Sequence, residues 1–169
     1  MWRWNGDERP PFADPVEAGQ RSVWDFPRPP IARPFGREVV IRTPDAELAR
    51  SNRAIEVCET ASPPTVYLPP EDVARELLID GGRPTVCEWK GQAKHWRLRG
   101  GRAEPVAWSY PDPFPEFAVL RDWFAFYPRR VECTADGIQV ESQSGGFYGG
   151  WITPDLRGPW KGGPGSSSW

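Results

Sequence analysis

Proline and glycine set the strongest limit on what this chain can fold into. Of its 169 residues, 21 are Pro and 17 are Gly, together roughly a fifth of the chain. Pro fixes φ and removes a donor, and Gly weakens helix and strand interiors. Long helices are therefore excluded, and short strands joined by many turns are expected. Apolar volume comes from 10 Trp, 8 Phe and 4 Tyr rather than from aliphatic side chains. Rings of this size must be buried somewhere, so the chain is expected to fold as a mainly β domain with a real core.

Charge narrows the partners. The 21 basic and 23 acidic residues leave a net charge of -2, with no basic footprint for nucleic acid. The longest apolar run is Trp123–Tyr127, far short of a membrane span. Met1–Glu8 contains no apolar stretch, so no secretory leader is expected. Cys58, Cys87 and Cys133 are odd in number and widely spaced, which fits reduced thiols in a cytoplasm. With His95 they make a formal zinc set, but no C-x-x-C pair occurs, and no metal or other cofactor is expected. Oligomeric state is not legible.

Three zones follow from composition. Residues 1–34 are Pro-rich and carry Trp2, Trp4, Phe12, Trp24 and Phe26, which predicts an extended segment docked on the domain. Residues 35–141 hold the strand signals. These are 36–42, 53–60, 84–89, 94–99 and a return over 102–110, with Gly100-Gly101 as a two-residue hairpin turn. Asp136-Gly137 is a second turn of that kind, joining 129–133 to 138–141. One or two short helices are expected, over 70–78 and 115–123. Residues 142–169 form a Gly/Pro/Trp-rich extension, expected to dock through its aromatics. Trp24-x-Phe26-Pro-x-Pro and Trp108-x-Tyr110-Pro-x-Pro share a pattern, read as coincidence or edge packing rather than duplication.

Nucleotide-binding glycine loops, nucleophile elbows and zinc-protease motifs are all absent. Cys87 and His95 are expected to be cross-strand neighbours rather than a catalytic dyad. Three segments put polar groups beside rings at strand ends: 58–70, 87–91 and 107–113. Trp108 and Tyr110 share one face of an extended strand, with Ser109 turned away.

The same segments carry a family resemblance. Ser22–Pro30, Glu59-Thr60, Tyr67–Val73, Trp89-Lys90-Gly91, Ala107–Pro113 and Phe124–Tyr127 resemble the bacterial domain of unknown function 427, also labelled nucleotidyltransferase-like family 9. The likeness spans about residues 22–141. It implies a β-tent fold, two small antiparallel sheets meeting at an angle, akin to methionine sulfoxide reductase B and the ligand-binding domain of cereblon. Those relatives hold zinc on paired C-x-x-C knuckles, which this chain lacks. Nucleotidyl transfer needs clustered carboxylates, and Asp112 and Asp136 do not supply them.

The leading expectation is a small-ligand-binding β domain. Its aromatic pocket is formed by Tyr67, Trp89, Trp108, Tyr110 and Tyr127, with charges from Glu59 and Lys90. The expected ligand is planar or cationic, and Glu59 and Lys90 pairing with each other at the surface is the plain alternative. Two functional alternatives stand beside the pocket. One is a hydrolase or transferase using Glu59 as general base, with no assigned catalytic residue beyond it. The other is a structural interaction module whose Trp-rich termini dock a partner.

Overall fold

Side-chain alternation along short strands decides the architecture. The computed structural model describes residues 2–169. The chain is mainly β, with helical structure limited to short 3-10 turns. Eight strands form a large sheet, in the order Ile31–Pro34, Ile55–Cys58, Thr65–Leu68, Phe124–Phe126, Ala107–Ser109, Gly91–Leu98 and Leu78–Asp80. The eighth, Thr85–Cys87, shares the last edge by pairing with the first residues of Gly91–Leu98. A small sheet runs Ile138–Gln139, Glu132–Ala135, Val39–Arg42, Glu47–Ser51. Every pairing within these two sheets is antiparallel.

The large sheet has two apolar faces. On one, Val66, Leu68, Trp96, Ala107, Phe124 and Phe126 meet Val39, Ile41, Leu48, Cys133 and Ala135 of the small sheet in one core cluster. The intervening residues Val57, Tyr67, Ala93, Trp108 and Ala125 point the other way into a second cluster. Period-two alternation therefore separates core from cavity one residue at a time.

Several local expectations change in the fold. The helix expected over 70–78 is two 3-10 turns, Pro70–Asp72 and Arg75–Leu77, followed by the strand Leu78–Asp80. Val73 is caught in a bridge with Ala49, and Leu78 pairs with Leu98; tertiary pairing overrides a weak local preference. The second expected helix is a kinked 3-10 stretch, Pro115–Leu120. Asp122 at φ 61° ends it, so Phe124 enters a strand instead. Gly100-Gly101 turns the chain, with Gly101 N–H donating to Leu98 O at 3.1 Å. The ladder resumes only at Val106, whose N–H donates to Trp96 O at 2.8 Å, because Pro105 has no donor. Asp136-Gly137 is a tight two-residue turn, with φ 48° and 76°. Ile31–Pro34, in the stretch read as extension, is an edge strand of the large sheet, where its terminal Pro is tolerated.

The ends of the chain pack on each other. Arg21–Ser22 pairs in parallel with Leu156–Arg157. Trp4, Trp24, Phe26 and Leu156 share a cluster with Cys58 and Ala61, and Phe12 stacks on Trp169 at 5.3 Å. Trp24 sits in a 3-10 turn and Trp108 in a strand, so their shared sequence pattern has no shared structure. An ionic network ties the ends to the large sheet. Arg21 contacts both Glu56 and Asp155 at 2.9 Å, Arg33 contacts Glu56 at 2.9 Å, and Arg37 contacts Asp155 at 2.9 Å.

Burial alone would raise the Asp155 pKa. Hydrogen bonds from Arg37 and Arg21 outweigh it and hold the carboxyl well below the usual range. A depressed folded pKa stabilises the fold fully above the unfolded value and is lost as pH falls through the folded one. The stability difference between wild type and Asp155→Asn in urea should be constant above about pH 5 and close progressively below about pH 4. A difference unchanged down to about pH 2 would contradict the network.

Candidate functional site

The face of the large sheet turned away from the small sheet opens into a cavity of about 650 Å³, within the usual range for small-molecule sites. Its rings come from strands on either side of Phe124–Phe126, with Tyr67 and Trp108 both opposite Ala125. Thr65–Leu68 contributes Tyr67, Ala107–Ser109 contributes Trp108, and the residues just beyond two strand ends contribute Tyr110 and Tyr127. Ser109 faces the core and accepts from Trp96 Nε1 at 2.9 Å. Glu59, Tyr67, Trp89, Lys90, Trp108, Tyr110 and Tyr127 all line this one cavity.

The rings brace one another. Trp108 and Tyr127 lie 4.6 Å apart at 48°, and Tyr67 meets Trp108 edge-on at 6.1 Å. Trp108 Nε1 donates to the Tyr67 hydroxyl at 3.3 Å. Tyr67 and Tyr110 are tilted by 42° at 6.3 Å. No pair forms a parallel slab. Burial raises the pKa of Tyr110 and Tyr127, so both remain neutral donors at physiological pH.

The charges depart from the expected Glu59–Lys90 pair. Glu59 Oε1 accepts from Arg28 Nε at 3.2 Å. Arg28 is buried and also donates to Thr60 O at 2.9 Å, with Trp2 over its guanidinium at 4.3 Å. Lys90 is buried too, its Nζ lying 5.5 Å from the Phe117 ring and 5.9 Å from Tyr110. Among the described residues it makes no ion pair, and Glu59 is engaged by Arg28. Burial works against the ammonium, but Tyr67, Cys87 and Glu59 outweigh it, and the pKa lies above the usual lysine value. Lys90 therefore carries a charge into the cavity.

Cys87 and His95 do not meet as cross-strand partners. Cys87 pairs with Gly91, while His95 Nε2 lies 2.8 Å from Thr85 Oγ1. Burial and Arg130 lower the His95 pKa, so the imidazole is neutral at physiological pH. Burial pushes the Cys58 thiol up to about 12, and that of Cys133 up as well. Among the described residues, no three His, Cys, Asp or Glu side chains gather as a metal-ligand set.

One wall escaped the sequence reading. Gln143, the segment Gly146–Gly150 and Lys161 line the cavity from the C-terminal extension. The short pair Glu141–Ser142 and Trp151–Ile152 holds this segment in place. Trp151 anchors it, its N–H donating to Pro64 O at 2.8 Å and its Nε1 to Phe126 O at 3.1 Å. Arg129 donates to the carbonyls of Gly145 and Gly146 at the tip. Gly149 lies so close that a Cβ there would sit 2.3 Å from Trp108 Cη2 and 3.3 Å from Tyr127 Cδ1. The glycine pair between Tyr148 and Trp151 was the available signal, since a Gly-Gly inside an aromatic run often marks close backbone approach.

Gly149→Ala should therefore displace the Trp108 ring and cost about 1–3 kcal/mol by overpacking. Urea denaturation and near-ultraviolet circular dichroism check this, and unchanged stability with an unchanged aromatic spectrum would contradict it.

No curated protein matches this sequence. A family model described as "Domain of unknown function (DUF427)" matches residues 31–137. The match takes in the large sheet from Ile31, the small sheet up to its Asp136-Gly137 turn, and all seven expected pocket residues. It stops short of the wall built by Gln143–Gly150 and Lys161. On a match covering more than half of its length, the chain belongs to the DUF427 family.

Proposed function

We propose that this protein is a small-molecule-binding β domain whose site is the aromatic cavity on the outer face of the large sheet. One observation carries the reading: four braced rings and a buried ammonium converge on a single cavity of about 650 Å³. Apolar walls with a few convergent polar groups are the usual form of such sites. The rings sit on paired strands or on the residue that directly follows one, so the site is preorganised and little ordering is needed on binding.

The alternatives find less support. A general base needs a nucleophile or bound water to activate. Glu59 Oε1 is already taken up by Arg28, and neither Cys87 nor His95 forms a dyad beside it. For an interaction module, the terminal rings would have to face outward. Trp4, Trp24 and Trp151 are instead buried within the chain. Trp2, Phe12, Phe147 and Tyr148 are exposed, but Trp2 lies against Arg28 and Lys161, Phe12 stacks on Trp169, and Phe147 and Tyr148 line the cavity. Among the described residues, no helix is long and apolar enough to cross a membrane. Three unpaired thiols fit the cytoplasmic, reducing location proposed here.

Native mass spectrometry after incubation with a low-molecular-mass metabolite extract tests the proposal. A one-to-one non-covalent adduct is expected on the wild type and not on Trp108→Ala. No adduct, or the same adduct on both proteins, would overturn the reading.

A further inference from the structure

The charges of the cavity specify its ligand further, given the small-molecule reading above. A cation-binding site needs a carboxylate left free to face the ligand. Glu59 does not meet that need, because the buried Arg28 guanidinium lies 3.2 Å from its Oε1, and the one carboxylate of the lining left unpaired among the described residues, Glu88, is outnumbered by Arg83, Lys90 and Lys161. The cation–π alternative also fails. Lys90 already lies 5.9 Å from the Tyr110 ring and 5.5 Å from Phe117, so an incoming cation would meet an ammonium beside the ring that should attract it.

Cations remain once the internal pairs are removed. Arg28 neutralises Glu59, and Glu104 lies 3.1 Å from Arg130 Nε. The lining then keeps Arg83, Lys90 and Lys161 against Glu88. Lys90 is the decisive one, being 8% exposed and without a carboxylate within 4 Å among the described residues. A buried ammonium favours a charged partner in direct contact. Glu59 supports its charge only from beyond 4 Å, and the cavity leaves room for an anion directly beside it. Lys161 adds a second cation at the rim, its backbone N–H fixed to Ala61 O at 2.8 Å and its ammonium 5.1 Å from the Trp2 ring. His95, neutral at physiological pH, adds no charge of its own.

We infer that the cavity takes an organic anion with a flat apolar body, of the aromatic carboxylate class. The acid group is held by Lys90, and the ring lies against Trp108 and Tyr127. The non-parallel rings favour edge and face contacts with a single ring system over intercalation between two slabs. Tyr110, a neutral hydroxyl beside Lys90, can donate a second hydrogen bond to the anion.

The test is a fragment screen by nuclear magnetic resonance, read at the Trp108 indole N–H. The library consists of matched flat-ring triplets: a carboxylic acid, its carboxamide and the corresponding amine. Wild type should bind the acids more tightly than the amides by on the order of tenfold, as a charge-assisted hydrogen bond predicts. Lys90→Met should lose that preference while still binding the amides, and Lys90→Arg should retain part of it. Both variants are first checked for a wild-type-like spectrum of the core. Binding at Trp108 with no acid preference, or a preference unchanged in Lys90→Met, overturns the anion inference and leaves the pocket reading standing. No perturbation at Trp108 by any triplet overturns both.

Discussion

The packing of one face of the large sheet on the small sheet is the constraint on which the rest depends. Val66, Leu68, Trp96, Phe124 and Phe126 are committed to that contact. Burying each of these large side chains stabilises the fold by roughly 1.5–3 kcal/mol. Strand geometry then leaves the intervening residues no choice. Tyr67, Trp108 and Ala125 must face outward, and the rings among them need cover of their own. A cavity is what remains when such a face is only partly covered.

The cover comes from the C-terminal extension. Trp151 is drawn into the core on the small-sheet side, and this brings Gly149 across the Trp108 ring and Gly150 against Pro63 and Gln143. At the other end of the chain, the N-terminal extension delivers Arg28 to Glu59 and Arg21 to Glu56 and Asp155. Both extensions therefore act on the site. One closes a wall, and the other sets the charge balance by pairing with Glu59, a carboxylate of the cavity lining. A domain trimmed to the family match would lose both contributions.

What the sequence made legible follows from period two. Trp108 and Tyr110 share a face with Ser109 opposite, and Trp96 and Leu98 oppose His95, because alternation needs only local backbone geometry. The Asp136-Gly137 turn was legible for the same reason. Features set by distant partners were not. The 70–78 segment has helix-like spacing, but Val73 bridges Ala49 and Leu78 pairs with Leu98. Glu59 is paired by Arg28 from thirty-one residues away, and no local pattern announces that choice over Lys90. Gly149 is required only because the Trp108 ring lies beneath it, and that too depends on tertiary position.

Trp96 and Trp108 offer the most direct test, since they stand on adjacent paired strands and face opposite sides of one sheet. The measurement is fluorine nuclear magnetic resonance of 5-fluorotryptophan-labelled protein, titrated with 2-naphthoate, the two resonances being assigned by single Trp→Phe variants. The account predicts that the Trp108 line shifts and saturates while the Trp96 line stays in place. A Trp108 line that does not respond, or two lines that shift together, would contradict a two-faced sheet with its ligand site on the outer face.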